Sequence, residues 1–82
     1  MSEVKVLFFA SLRDEIGISE TSVRATSLSD LIEKLEKQLG KDKINALTAE
    51  NVRIAVDQKI IEGEYDFVGS EEVAFLPPVT GG

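Results

Sequence analysis

The C-terminal end of the sequence carries the residues with the clearest chemical potential. It reads Pro-Pro-Val-Thr-Gly-Gly over residues 77–82. The two prolines fix φ at about −65° and favour an extended, polyproline-like path. Gly81 and Gly82 have no Cβ, so this segment can enter a slot that is too narrow for other residues. The pattern therefore predicts a stem that projects from the body and presents the carboxylate of Gly82 to an enzyme.

Chemistry at this carboxylate requires activation from outside. With a pKa of about 3.5 the group is ionised at neutral pH, and an ionised carboxylate is a poor electrophile. Adenylation by ATP would activate it, after which a sulfur nucleophile would give a thiocarboxylate and an amine would give an isopeptide. The alternative is an inert end, because glycine-rich termini are often disordered and a Pro-Pro pair often does no more than terminate a strand.

The composition argues against catalysis by the side chains of this chain. Its 82 residues include no Cys and no His, which removes the thiol nucleophile, the neutral-pH base and the commonest zinc ligands. The net charge of −6 would repel phosphate backbones, so we expect no nucleic-acid partner. There is no apolar run of the roughly 20 residues that span a bilayer, and no signal-peptide layout. We therefore expect no membrane partner and a cytoplasmic location.

The length suits one small domain, and the hydrophobic pattern divides it into strands around a single clear helix. Leucines and isoleucine spaced by three and four residues predict that helix over Leu28–Leu39. Ser27 is a suitable N-cap, and Gly40 supplies a left-handed C-terminal residue. The other segments are predicted as strands at 4–10, 20–24, 52–56, 59–61 and 72–76, a helical turn at 12–17, an irregular or helical connector at 41–51, and a loop at 62–71.

One helix is too few to cover both faces of such a sheet. Alternation places Leu7 and Phe9 of the first strand, with Ala74 and Leu76 of the last, on the face away from the helix if those strands are neighbours. Either Ile60 or Ile61 must face the same way. This face is either a docking patch for a partner at the root of the tail or a second small core beneath the 62–71 loop.

The most specific segments, Val73–Gly82 and Lys5–Ala10, together with Arg13, an acidic residue and Gly17, resemble a known family over the whole chain. That family is the small, sulfur-carrying subunit of molybdopterin synthase, which is ubiquitin-like. The sequence departs from its pattern at Asp14, where glutamate is usual, and at 69–72, where an Asp-Gly-Asp-Glu turn is common.

The resemblance implies an α+β fold of the β-grasp type, with a mixed sheet of four to five strands packed on one main helix. Residues 1–76 would form the β-grasp domain and residues 77–82 the extended Gly-Gly tail.

It also implies a carrier function. An E1-like enzyme would adenylate Gly82 with ATP, and a persulfide donor would supply sulfur for a thiocarboxylate. The tail would enter the active site of the large synthase subunit and donate sulfur to a pterin precursor, in a heterotetramer of two small and two large subunits. The catalytic side chains belong to the large subunit in this family, so we expect no activity from this chain alone and no cofactor bound to it.

The predicted site has two parts. In the tail, Gly82 carries the reacting carboxylate, and Gly81, which has no side chain, precedes it. The stem that is threaded into the partner consists of Thr80, Val79, Pro78 and Pro77. The predicted partner-binding residues are Leu7, Phe9, Arg13, Ile60, Ala74 and Leu76. For Arg13 the alternative is a surface ion pair with Asp14 or Glu15.

Three other functions are compatible with the sequence. A thiamine-pathway sulfur carrier would share the fold, the tail and the activation, although such chains are usually shorter and lack the Pro-Pro-Val-Thr stem. A ubiquitin-like modifier would be joined to lysines through Gly82. A plain interaction domain would have an inert tail, and deletion of Gly81 and Gly82 would then leave its function intact.

Overall fold

The computed structural model describes residues 2–77, apart from the side chain of Ser2. The elements follow one another along the chain in the order β1 Ser2–Phe8, α1 Ala10–Ile16, β2 Glu20–Ala25, α2 Leu28–Leu39, α3 Lys41–Leu47, β3 Arg53–Val56, β4 Lys59–Ile61 and β5 Glu72–Leu76. The predicted bounds of α2, β4 and β5 are confirmed. The predicted connector contains a regular helix, α3.

The five strands form one mixed sheet in the order β2-β1-β5-β3-β4. β1 and β5 are parallel neighbours at its centre, and the other strand pairs are antiparallel. The first and last strands therefore lie side by side, as the docking-patch hypothesis requires. Because β5 is the central strand, its last residue, Leu76, and the Pro77 that follows lie at the middle of the sheet's width.

The core lies between the sheet and the helices on one of its faces. Phe8 and Phe75, at 2% and 0% exposure, stack with ring centroids 5.9 Å apart. From α2, Leu31 and Leu35 pack into the same cluster. Within residues 2–77, every buried side-chain nitrogen or oxygen has a hydrogen-bond partner. The core on this face of the sheet therefore contains no unsatisfied polar side chain among the described residues.

Both ends of α2 are defined by local chemistry. The Ser27 hydroxyl accepts a hydrogen bond from the backbone N–H of Asp30 at 3.3 Å, as expected of an N-cap. The Asp30 carboxylate accepts from the N–H of Thr26 at 2.9 Å and from Lys34 at 3.0 Å. At the other end Gly40 has φ 99° and ψ 159°, not the left-handed helical geometry that was predicted. The difference arises because α3 begins at the next residue, so Gly40 ends one helix and starts another.

A tight turn positions β4 at the sheet edge. Asp57 and Gln58 have φ of 50° and 71°, the pair of positive angles that a two-residue hairpin of type I′ requires. The Asp57 carboxylate also accepts a hydrogen bond from the N–H of Glu72 at 3.0 Å, and the N–H of Asp57 donates to the Glu72 carbonyl at 2.8 Å. The hairpin is thereby fixed against the start of β5.

Candidate functional site

The sheet face opposite the helices carries an apolar depression of about 250 Å³, which we call the outer depression. Eight residues from four strands and their ends line it: Leu7, Phe9, Ala55, Gln58, Ile60, Glu72, Ala74 and Leu76.

The strand register explains its shape. Leu7 lies opposite Ala74, Ala74 lies opposite Ala55, and Ala55 lies opposite Ile60. These four residues form one row across the sheet, with two alanines in the middle and larger side chains at the ends. Small residues between large ones leave a hollow, because the alanines cannot fill the space between their neighbours.

The walls of the outer depression are open to solvent. Phe9 is 44% exposed and Ile60 is 55% exposed, whereas Phe8, adjacent to Phe9 in sequence, is buried in the core. Apolar side chains of this size are normally covered in a small domain, and an uncovered cluster of them marks an interaction surface.

The structure brings together five of the six predicted partner-binding residues in this depression: Leu7, Phe9, Ile60, Ala74 and Leu76. It also resolves the choice in β4, since Ile60 faces outward and Ile61 packs against the core. Ala55 was not included among the predicted partner-binding residues. Ile54 and Val56 were predicted to face the core, so the residue between them could have been assigned to the outer face.

The 62–71 loop does not cover the outer depression, which makes the second-core alternative wrong. Its aromatic residues, Tyr65 and Phe67, pack on the helix side of the sheet. The Tyr65 carbonyl accepts from the N–H of Leu28, and the N–H of Phe67 donates to the Thr26 carbonyl. These bonds hold the loop across the start of α2.

Arg13 lies apart from the other predicted contacts. It is an exposed residue of α1 and does not line the outer depression. Of the ion pairs formed within residues 2–77, none joins it to Asp14 or Glu15, so the surface-pair alternative is not observed. Its role as a partner anchor stays a prediction.

The root of the tail is adjacent to the outer depression. β5 ends at Leu76, the last residue of the predicted folded domain, and Pro77 follows it outside any strand. Pro77 is half-buried and lines a second hollow with Leu12, Val52 and other residues of α1, α3 and the following loop. The other predicted tail residues, Pro78 to Gly82, lie outside the described residues.

A buried carboxylate fixes the start of β5. Glu71 is 4% exposed and accepts hydrogen bonds from the N–H groups of Val68 at 2.8 Å and Gly69 at 3.0 Å. Burial alone would raise the pKa of Glu71, but these N–H groups outweigh it and hold the pKa below its ordinary value. Its carbonyl accepts from the N–H of Lys5 at 3.1 Å, so the turn before β5 is attached to β1.

The described residues hold no group of metal-ligating side chains that could bind an ion. None of the helices within 2–77 has the length and hydropathy to cross a membrane.

Comparison with known proteins places the chain in a family. The model of the ThiS family matches residues 6–82. The chain belongs to the ThiS family. Among curated relatives, the molybdopterin synthase sulfur carrier subunit of Escherichia coli K12 is 35% identical, with 96% of this chain and 99% of the relative covered. The corresponding subunit of Haemophilus influenzae is 30% identical, with the same coverage. The predicted resemblance is confirmed.

Solved structures of similar proteins share the fold of this ThiS-family chain. The small archaeal modifier protein 1 of Methanosarcina acetivorans has a TM-score of 0.82 at 26% identity, covering 100% of this chain and 98% of that one. A complex of subunits 1 and 2 of the Helicobacter pylori molybdopterin-converting factor has a TM-score of 0.73 at 23% identity, with 98% and 99% covered. These neighbours confirm the β-grasp prediction.

Proposed function

We propose that this chain is the sulfur carrier of molybdopterin synthesis and acts as the small subunit of molybdopterin synthase. The observation that carries the proposal is an uncovered apolar face at the root of a Gly-Gly tail, in a chain that is 35% identical to a sulfur carrier subunit over nearly its whole length. The carrier would work in the cytoplasm, where ATP is available.

The reaction begins at the carboxylate of Gly82. An E1-like enzyme transfers AMP from ATP to this carboxylate and releases pyrophosphate. A persulfide donor then attacks the acyl-adenylate, AMP leaves, and reduction of the sulfur-sulfur bond by a thiol gives the thiocarboxylate. The chain contains no Cys and no His. This composition is consistent with a mechanism in which the partner enzymes supply every nucleophile and base.

Docking on the large subunit aims the tail. Apolar side chains of that subunit fill the outer depression, with its two-alanine floor and the open side chains of Phe9 and Ile60. Because Leu76 belongs to this surface and the tail begins at the next residue, occupation of the depression fixes the direction in which the stem leaves. The stem, Pro77 to Thr80, and Gly81 then enter the active site, where the thiocarboxylate donates sulfur to the pterin precursor.

A second candidate, a protein modifier, is favoured by one observation. The chain matches the small archaeal modifier protein 1 at a TM-score of 0.82 and 26% identity. A modifier would use the same adenylate, but a lysine amine would attack it and form an isopeptide. The outer depression serves both functions, because the activating enzyme must bind the carrier in either case.

The test is incubation of the intact chain with its E1-like enzyme, ATP and a sulfur source, followed by intact-mass measurement. The carrier function predicts a gain equal to the difference between one sulfur and one oxygen atom. The modifier function predicts larger species with Gly82 joined to a lysine. Gly82→Ala should abolish either product, whereas Gly69→Ala is the matched control, because a Cβ at Gly69 meets no atom within 4 Å.

A further inference from the structure

The edge strand β2 offers a row of backbone groups that the sheet does not use. Within residues 2–77, β2 pairs with β1 on one side and has no strand on the other. The N–H of Phe8 donates to the Ser19 carbonyl, and this bond fixes which backbone groups of β2 face β1. The N–H and C=O groups of odd-numbered residues of β2 bond to β1, and those of even-numbered residues point away from β1. Glu20, Ser22 and Arg24 therefore present their N–H and C=O groups at the free edge.

Two contacts support this alternation. The N–H of Lys5 donates to the Glu71 carbonyl, so this odd residue of β1 bonds toward β5 and not toward β2. The Arg24 carbonyl accepts a hydrogen bond from the Lys34 ammonium at 2.8 Å, which is possible only if it points away from β1. A carbonyl oxygen has two lone pairs, so it can accept a second bond from a neighbouring strand.

The side chains of the outward residues are complementary to themselves. In an antiparallel pair of β2 strands centred on Ser22, Glu20 of one copy lies opposite Arg24 of the other, and the reverse pair forms on the far side of the two-fold axis. Shifting the centre to Glu20 or to Arg24 would place like charges opposite each other, which is unfavourable. The register centred on Ser22 also pairs all three outward residues.

We propose that two copies of this chain associate through β2 in this antiparallel register and form one continuous sheet. A two-fold axis through a hydrogen-bonded pair is perpendicular to the sheet, so both outer depressions lie on the same side. The depression spans β1, β5, β3 and β4, and β2 lies at the opposite edge from β4. A copy can therefore dimerise while its outer depression is occupied by a partner.

The association is expected to be weak, because one short strand pair is a small interface. A dissociation constant of about 0.1–1 mM is reasonable for it. The free protein should be monomeric at low concentration, with a mass of 9.0 kDa. Its weight-average mass at about 1 mM should be about 1.5–1.8 times that value.

Sedimentation equilibrium of the full chain tests the proposal through charge exchange. Arg24→Glu and Glu20→Arg each place like charges opposite each other, so each variant alone should weaken association by about tenfold. A mixture of the two should restore it, because both cross-strand pairs are then of opposite charge. Lys37→Glu on the exposed face of α2 changes the net charge as much as Arg24→Glu does and should dimerise like the native chain.

A backbone variant tests the register independently. Ser22→Pro removes an N–H that points away from β1, so the variant should keep its circular dichroism spectrum and lose association. Ser22→Ala should retain both. A native mass of one chain at about 1 mM would overturn the proposal and leave the edge to an extended segment of another protein. Association that survives Arg24→Glu and is lost in Leu7→Glu would overturn it too, since the contact would then be the outer depression.

Discussion

Leu76→Glu separates the docking role of the outer face from a structural one. The residue is half-buried in the free chain, lines the outer depression, and is followed at once by the tail. Its neighbour Phe75 points to the opposite face and is 0% exposed. Leu76 is therefore predicted to contribute to docking and Phe75 to the core. Measurements of binding and of thermal unfolding can distinguish these two roles.

The expected effect on stability is small. The introduced glutamate can direct its carboxylate into solvent, so the free energy of unfolding should fall by no more than about 1 kcal/mol. A loss of that size lowers the melting temperature by about 4–8 °C in a domain of this length. Phe75→Ala should cost about 3–5 kcal/mol, because it removes a fully buried ring and leaves a cavity.

The expected effect on binding is large. Because Leu76 is already half-buried in the free chain, burial of the rest of its side chain in the complex contributes about 1 kcal/mol. A carboxylate at the same position must in addition be desolvated without a partner, which costs more than about 2 kcal/mol. Together these effects exceed about 3 kcal/mol, which weakens affinity for the large subunit by more than about a hundredfold.

Isothermal titration calorimetry with the large subunit, paired with thermal unfolding of each variant, measures both quantities. Val68→Glu is the matched control, since it makes the same charge change at a residue that is 91% exposed and outside the outer depression. A docking role for Leu76 is excluded if Leu76→Glu binds as the native chain does, or if it unfolds as Phe75→Ala does.

Urea unfolding measures three further effects on the stability of the chain. Glu71→Gln should lower the free energy of unfolding by about 1–2 kcal/mol, because an amide cannot accept from both N–H groups of the turn as the carboxylate does; an unchanged midpoint would contradict this role. The pKa values of Asp30, Glu64 and Glu71 are lowered in the folded state by hydrogen bonds that outweigh burial. A group whose pKa is lowered by folding contributes its full stabilisation well above the unfolded pKa, which is 4.5 for the two glutamates, and loses it as the pH falls through the folded pKa. The urea midpoint should therefore be constant at pH values well above 4.5 and fall as the pH drops through and below it; a midpoint that rises on acidification would be inconsistent with this. Gly40→Ala should cost about 1 kcal/mol or more, because its φ of 99° is strained for other residues, whereas Gly69→Ala should be neutral; equal effects would contradict the assignment.

The sequence predicted the elements whose signals are local. The α2 helix has an apolar stripe, a serine N-cap and a terminal glycine within its own residues, so its bounds were predictable. β5 ends where Pro77 removes a backbone donor, so its end was predictable too. The placement of Leu7 beside Ala74 required one further assumption, that the first and last strands are neighbours, and the sheet order confirms it.

The sequence could not predict features that depend on distant partners. Glu71 was read as part of a loop, because nothing in the sequence shows that its carboxylate turns inward to the N–H groups before it. The geometry of Gly40 depends on the start of α3, whose seven residues are too few for a clear apolar period. The sequence alone could not show whether Ile60 or Ile61 faces away from the core. The hairpin at Asp57 sets the register of β4, and this register turns Ile60 outward.

Intact-mass measurement of the chain, after incubation with its activating enzyme, ATP and a sulfur source, decides whether Gly82 becomes a thiocarboxylate. We expect an otherwise unmodified chain that is heavier by the replacement of one oxygen atom with one sulfur atom, and we expect this product to be absent in Gly82→Ala. A chain that stays at its original mass while the enzyme consumes ATP, or a product of the same mass in Gly82→Ala, would contradict it.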